Sequence, residues 1–293
     1  MRLATFRTGC VERDRVGVVH DGDVCAPPAG GPAPVSMLDL VASAEAVAQF
    51  AAAAAAGDRF TLADVELCAP IPHPRRNIIC VGKNYREHAA EFHGSGFDAS
   101  AVEVPAHPVF FTKAGTCVVG PRDGVRLDLD PTGTTDYEGE LAVVIGTGGR
   151  DIPAGRALRH VFGYTLLNDV TSRELQRRHG QWFIGKSIDT FGPMGPWIVT
   201  ADDIPDPSRL RLTVDVNGER RQSALVADLV FDVGSLIETL SAAMTLLPGD
   251  IIATGTPAGV GVGSVPPRYL RDGDTVRVAI DEIGELHNTF HSG

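Results

Sequence analysis

The chain has no apolar run long enough to span a bilayer, and its start, MRLATFRTGCVERDR, lacks the apolar core of a secretory signal. It also has no CxxC pair. Its five cysteines, Cys10, Cys25, Cys68, Cys80 and Cys117, are an odd set, which excludes a fully paired disulfide framework and gives no zinc-ligand spacing. Reduced thiols in a cytoplasmic protein are therefore expected. No Lys/Arg run relieves the acidic balance, 37 Asp and Glu against 26 Lys and Arg, for a net charge of -11. That charge argues against nucleic acid and against anionic membrane surfaces as partners. No internal repeat is visible.

What is present is an ordinary globular composition, 43% hydrophobic and 22% charged. The length is large for one domain and small for two. The first 70 residues differ from the rest. VGVVHDGDVCAP reads as a hairpin with a D-G turn, and SMLDLVASAEAVAQFAAAAAAG as one helix with Ser36 as N-cap and Gly57 as its stop. The prolines of APIPHP (69–74) mark a boundary. Residues 1–70 are expected to form a small N-terminal α/β domain, and 71–293 a catalytic domain. From residue 77 short β runs dominate, with an Asn217–Gly218 hairpin turn and only three helical stretches. Strands clustered without regular interleaved helices indicate an α+β or mostly-β roll rather than a doubly wound parallel sheet.

The stretch TDYEGELAVVIG carries the chemistry. It reads as a strand, and Glu138 and Glu140 at its entrance are two apart, so they face the same way. At a strand end such a pair is ordinarily a solvated rim. The other reading is a divalent cation that turns their mutual repulsion into coordination. Asp169, in LLNDVTSRELQ, stands where a strand gives way to a helix. It is suited to cap that helix, or to complete a three-carboxylate, all-oxygen site of Mg²⁺ or Mn²⁺ type. His88 and Glu91, three apart on a short helix, share a face, as a surface pair or as a carboxylate-oriented general base. HAAEFH fits no zinc-protease spacing. Lys186 lies in a Gly/Pro-rich loop. The glycine-rich IIATGTPAGVGVG lacks the helix of a dinucleotide fold, and its N–H groups with the Thr256 hydroxyl suit a carboxylate instead.

Taken in order, CVGKNYREHAAE, FFTKAGTCVVGP, DYEGELAVVIG, LLNDVTSRELQ, GQWFIGKSIDTFGPMGPW, PGDIIATGTPAGVG and GDTVRVAIDEIGELHNTF resemble the fumarylacetoacetate hydrolase family from about residue 78 to 290. The resemblance implies a mixed β-sandwich roll, usually a homodimer. It implies that Glu138, Glu140 and Asp169 hold Mg²⁺ or Mn²⁺, and that His88 and Glu91 form a catalytic dyad on a mobile lid, Tyr85 to about His107. Lys186 would stabilise a developing oxyanion. Arg173, Gln176, Tyr85 and Thr256 would contact the substrate, a small 2-oxo acid. The expected reaction is hydrolysis of a C–C bond in an acylpyruvate-like 2,4-dioxo acid. The alternatives on the same site are isomerisation or tautomerisation of a 2-hydroxy-diene-dioate, and decarboxylation of an oxaloacetate-type acid.

Overall fold

A computed structural model of the chain describes residues 1–9, 11–28, 36–97 and 104–293. Strands dominate and helices are few and short, the mixed α+β, mostly-β class expected. The large sheet runs, in space, Asp58–Thr61, Asp23–Ala26, Val11–His20, Arg2–Thr8, Gly192–Thr200, Val161–Asn168, Gly139–Ile145, Ile251–Ala253, Ile78–Gly82 and Val109–Lys113. A five-stranded sheet, Glu219–Leu225, Arg211–Val216, Thr275–Ile280, Gly284–His291 and Val125–Arg126, packs against it. Residues 1–70 do not form a separate sheet: Arg2 and Leu3 pair with Val199 and Ile198, so the boundary drawn at residue 70 lies within continuous strand pairing.

The strand Gly139–Ile145 is the centre of the molecule, with all seven residues buried. Leu141, Val143 and Ile145 belong to the core shared with Leu212, Val214, Val276 and Val278 of the second sheet. Ala142 and Val144 belong to the opposite core, with Met37, Leu40, Val41 and Phe50 of the N-terminal helices. A strand buried on both faces reads as a continuous apolar run, which is what LAVVI is. Glu138 and Glu140 share the parity of Ala142 and Val144, and it is at this strand's entrance that buried charge is admitted.

Both two-residue turns form as read. His20 pairs with Asp23 around Asp21 (φ 48°) and Gly22 (φ 83°), and Val216 pairs with Glu219 around Asn217 (φ 52°) and Gly218 (φ 78°), the left-handed pairs such hairpins require. The single helix expected over 36–57 is two, Met37–Val41 and Ala44–Ala55. Ser36 caps the first with a reciprocal Asp39 bond, and Ser43 caps the second by accepting from Ala46 N. A second capping serine restarted the helix. Gly57 follows the second helix for another reason: a Cβ there would lie 2.2 Å from the Ala26 carbonyl oxygen.

The apolar strand Gly192–Thr200 is an inner strand, with Met194, Ile198 and Val199, and Phe191 just before it, buried within the chain. Cys25, Cys68, Cys80 and Cys117 are free thiols, and burial pushes those of Cys80 and Cys117 above their ordinary range. Among the described residues, no helix is long and apolar enough to cross a membrane.

Candidate active site

Strand register brings the three carboxylates together. Gly139 pairs with Asn168, Glu140 with Leu167, and Asp169 N donates to Glu138 O at 2.8 Å. Glu138 and Asp169 therefore leave the ends of two paired strands side by side, with Glu140 one strand period deeper. One oxygen from each lies within 4.8 Å of the others, and all three residues are buried.

Cations surround two of the three. Lys186 Nζ, on the short helix Phe183–Lys186, donates to Glu138 Oε2 at 2.6 Å and to Asp169 Oδ2 at 2.8 Å. Arg173 Nη1 donates to Glu138 Oε1 at 2.6 Å. Burial opposes ionisation of Glu138, but the Lys186 ammonium and Arg173 guanidinium outweigh it and hold the carboxyl at about 2. Glu140 has no such partner. Its Oε2 accepts from Gly255 N at 2.8 Å, while burial, then Asp169 and Glu138, push it well above the usual carboxylate range. Asp169 Oδ1 lies 2.8 Å from Lys113 Nζ but has no aligned hydrogen-bond donor. An under-neutralised Glu140 beside Asp169, in an all-oxygen donor set, fits a hard divalent cation.

Sequence reasoning passed over two members of this network. Lys113, fully buried at the end of the strand Val109–Lys113, donates to Val170 O at 3.0 Å and to the Lys186 carbonyl oxygen. Asp136 accepts from Arg173 Nε at 2.8 Å, from Gly261 N at 2.7 Å and from Val262 N at 2.9 Å. The glycine-rich loop does hold carboxylates, but they are the protein's own. Besides Asp136 it holds Glu91, whose two oxygens each accept from Gly259 N at 3.1 Å. Gly263 has no side chain because a Cβ would lie 2.1 Å from Glu91 Oε1.

His88 and Glu91 lie on the helix Arg86–Gly94. His88 Nδ1 is 3.5 Å from Glu91 Oε2, too long and poorly aligned for a hydrogen bond, and it has no other hydrogen-bond partner among the described residues. Both His88 and the helix's Phe92 are buried. The expected lid continues into residues 98–103, which lie outside the described residues.

One cleft is lined by His88, Glu138, Glu140, Arg173, Gln176, Lys186 and Thr256, with Val81, Phe92, Phe111 and Trp182 as its apolar wall. It encloses about 20 Å³, room for about one water. Arg173 Nη2 is buried there without a hydrogen-bond partner among the described residues. Gln176 Oε1 accepts from Arg173 Nη1 at 3.3 Å. Thr256 Oγ1 accepts from Gln222 Nε2 at 2.9 Å, so its own proton is left to give. Tyr85 is not among the residues that line this cleft. It packs in the main core and bridges to Leu229, and burial, then the charge of Glu140, raises its phenol.

Residues 77–291 match the family model described as fumarylacetoacetate (FAA) hydrolase, C-terminal. The chain belongs to the fumarylacetoacetate hydrolase family. It is 52% identical over 229 residues, 78% of this chain and 74% of the relative, to oxaloacetate tautomerase YisK of Bacillus subtilis. Among solved structures, a fumarylacetoacetate hydrolase from psychrophilic Exiguobacterium antarcticum superposes with a TM-score of 0.83 at 41% identity, covering 100% of both chains. Maleylpyruvate hydrolase from Sphingobium sp. SYK-6, in complex with manganese(II) ion and pyruvate, does so with a TM-score of 0.79 at 37% identity, again covering 100% of both. Members of this family are enzymes of more than one class, hydrolases and tautomerases among them.

Proposed function

We propose that the protein is a divalent-metal-dependent enzyme that moves a proton on a short 2-oxo diacid, interconverting the keto and enol forms of an oxaloacetate-like substrate. The observation that carries this reading is the buried Glu138–Glu140–Asp169 cluster facing a buried histidine across a cleft with space for about one water. Its support among relatives is the 52% identity to an oxaloacetate tautomerase.

Glu138, Glu140 and Asp169 would hold Mg²⁺ or Mn²⁺. A bound ion of that kind supplies Lewis-acid polarisation of the 2-oxo group. The chain's own residues do the rest. His88 takes a proton from C3; the C–H electron pair becomes the C2=C3 bond, the C2=O π pair moves onto oxygen, and that oxygen takes the proton back from the His88 imidazolium, so atoms and charge balance. The Arg173 Nη2 donor and the Thr256 hydroxyl bind substrate carboxylate, and the fixed Lys186 charge sits beside developing negative oxygen. Phe92 and Phe111 exclude water, which strengthens each of these interactions. Glu91, held by Gly259 N, fixes the helix that presents His88.

Hydrolysis of an acylpyruvate uses the same residues, with His88 activating a water. The likeness to a maleylpyruvate hydrolase favours it; the 52% identity to an oxaloacetate tautomerase favours the first reading. Enol-oxaloacetate decay and acylpyruvate cleavage, each followed with Mg²⁺ and with Mn²⁺, separate the two. Tautomerisation no faster than the spontaneous rate, alongside efficient C–C cleavage, would replace the first reading by the second. A homodimer in the cytoplasm completes the proposal. Its support is the exposure of Phe183 (42%) and Ile184 (47%) beside the cleft, and a monomer mass by light scattering would remove the dimer.

A further inference from the structure

The cleft has two unlike ends. One is the carboxylate cluster with Lys186 and Arg173. The other is three aromatic rings, each from a different element: Phe92 from the helix Arg86–Gly94, Phe111 from the strand Val109–Lys113, and Trp182 from the turn before the helix Phe183–Lys186. Trp182 joins the other two. Its ring meets Phe111 edge-on at 5.1 Å between centroids and 71°, and Phe92 at 6.1 Å and 82°. Its remaining side lies on backbone, since a Cβ on Gly82 would come within 2.3 Å of the indole. Glycine at position 82 is what lets the indole settle that deep.

The aromatic end is also close to the charged end. Lys186 Nζ is 5.1 Å from the Phe111 ring centroid, and the Arg173 guanidinium carbon 5.9 Å from that of Phe92. The half-buried indole lines the same cleft and touches both of these rings, so a 2-oxo acid whose carboxylate and oxo group face the cluster brings whatever it carries beyond C3 against this aromatic wall. We propose that Trp182 is a specificity-determining residue, a stop that restricts the site to short 2-oxo acids and rejects those with a bulky distal group. This rests on the 2-oxo-acid reading of the site.

Substitution of the indole leaves the metal side in place. The bond Trp182 makes to the Lys186 helix is from its backbone carbonyl, which accepts from Lys186 N at 3.1 Å, and no side-chain atom of Trp182 touches the three carboxylates by hydrogen bond or ion pair in the described residues. In a hydrophobic pocket each added or missing group of methylene size changes selectivity by about 10–200-fold. Removing an indole should therefore show clearly.

The test is calorimetric and independent of turnover. Oxalate and N-phenyloxamate, small and bulky anions with the same adjacent donor pair, are titrated into the Mn²⁺-loaded protein, wild type, Trp182→Phe and Trp182→Ala. The expected result is a preference for oxalate that shrinks by about tenfold or more in Trp182→Ala, with Trp182→Phe between, and oxalate affinity itself held within about threefold. An unchanged ratio in both variants, or equal weakening of both anions, would overturn the stop while leaving the 2-oxo-acid site standing. Absence of oxalate binding to the Mn²⁺-loaded wild type would overturn the 2-oxo-acid reading, and the stop with it.

Discussion

The two halves of the site are built to different standards of rigidity. Glu138, Glu140 and Asp169 stand at the ends of paired inner strands; Arg173 and Lys186 pair with Glu138, and Lys186 and Lys113 with Asp169, all of them buried. His88 stands on a nine-residue helix whose N-cap residue, Tyr85, makes no side-chain capping bond. That helix is held by Phe92 against Val260 and Val262, by aromatic contact with Trp182, and by Glu91 on Gly259 N. A metal site needs fixed ligands, whereas a cleft with room for one water must open to admit substrate. We propose that the helix is the half that moves. The glycine-rich loop serves both: Gly259 holds Glu91 of the moving half, and Gly261 and Val262 hold Asp136 of the fixed half.

Removing the ion should do the most damage. Chelation, or Glu140→Ala, is expected to lower kcat/KM by about 10³-fold or more, since Lewis-acid stabilisation is worth several kcal/mol. Calorimetry on Glu140→Ala should show loss of Mn²⁺ binding. Retained metal-dependent activity would remove Glu140 from the site. Next comes Arg173→Met, which leaves Asp136 and Glu138 buried beside a neutral side chain. Breaking a buried pair in this way costs about 3–5 kcal/mol, read as a lower urea midpoint, and a change under 1 kcal/mol would mean that the fixed half does not depend on its charge matching.

A smaller effect is expected at Glu91→Gln. It exchanges a charged acceptor of Gly259 N for a neutral one and should cost about 1–2 kcal/mol, lowering kcat by about tenfold. Hydrogen exchange should rise across 86–94 and stay unchanged across 139–145. Equal changes in both segments would erase the distinction between the halves. The smallest signal is a proton. Because Glu140 is pushed above its ordinary range, the metal-free site holds a proton there at pH values where a free carboxylate would have lost it. Metal binding must expel it, so affinity should rise with pH until that group has titrated. Calorimetry in buffers of different ionisation enthalpy would detect the release; none at mildly acidic pH would contradict the electrostatics assigned to Glu140.

Much of this was legible in the residues because it follows from local rules. The strand period placed Glu138 and Glu140 on one side, and the D-G and N-G turns took the left-handed conformations that hairpins demand. The helix period placed His88 and Glu91 together. What escaped was charge paired across long stretches of chain. Lys113 and Asp169 are 56 positions apart, with Asp136 and Arg173 37 apart, and no window of sequence shows that either lysine or aspartate is buried. Parity offered one clue, since Asp136, Glu138 and Glu140 recur at a spacing of two. The glycine loop was legible only in part for a related reason: backbone N–H groups show that a carboxylate is wanted, but not that Asp136 and Glu91 take several of them. The packing of Trp182 on Gly82 was equally invisible, because it joins segments 100 residues apart.

The most direct test compares wild type with His88→Asn on the same preparations, loaded with Mn²⁺ to equal occupancy by calorimetry. Enol-oxaloacetate is supplied and its decay to the keto form is followed. His88 is not among the proposed ligands, so Mn²⁺ affinity should be unchanged within about twofold. General acid–base catalysis contributes about 10²–10⁴-fold, so tautomerisation in the variant should fall by that factor. Equal metal affinity with tautomerisation retained within a few-fold of wild type would show that the movable half supplies no proton transfer, and would contradict the division of labour between the two halves.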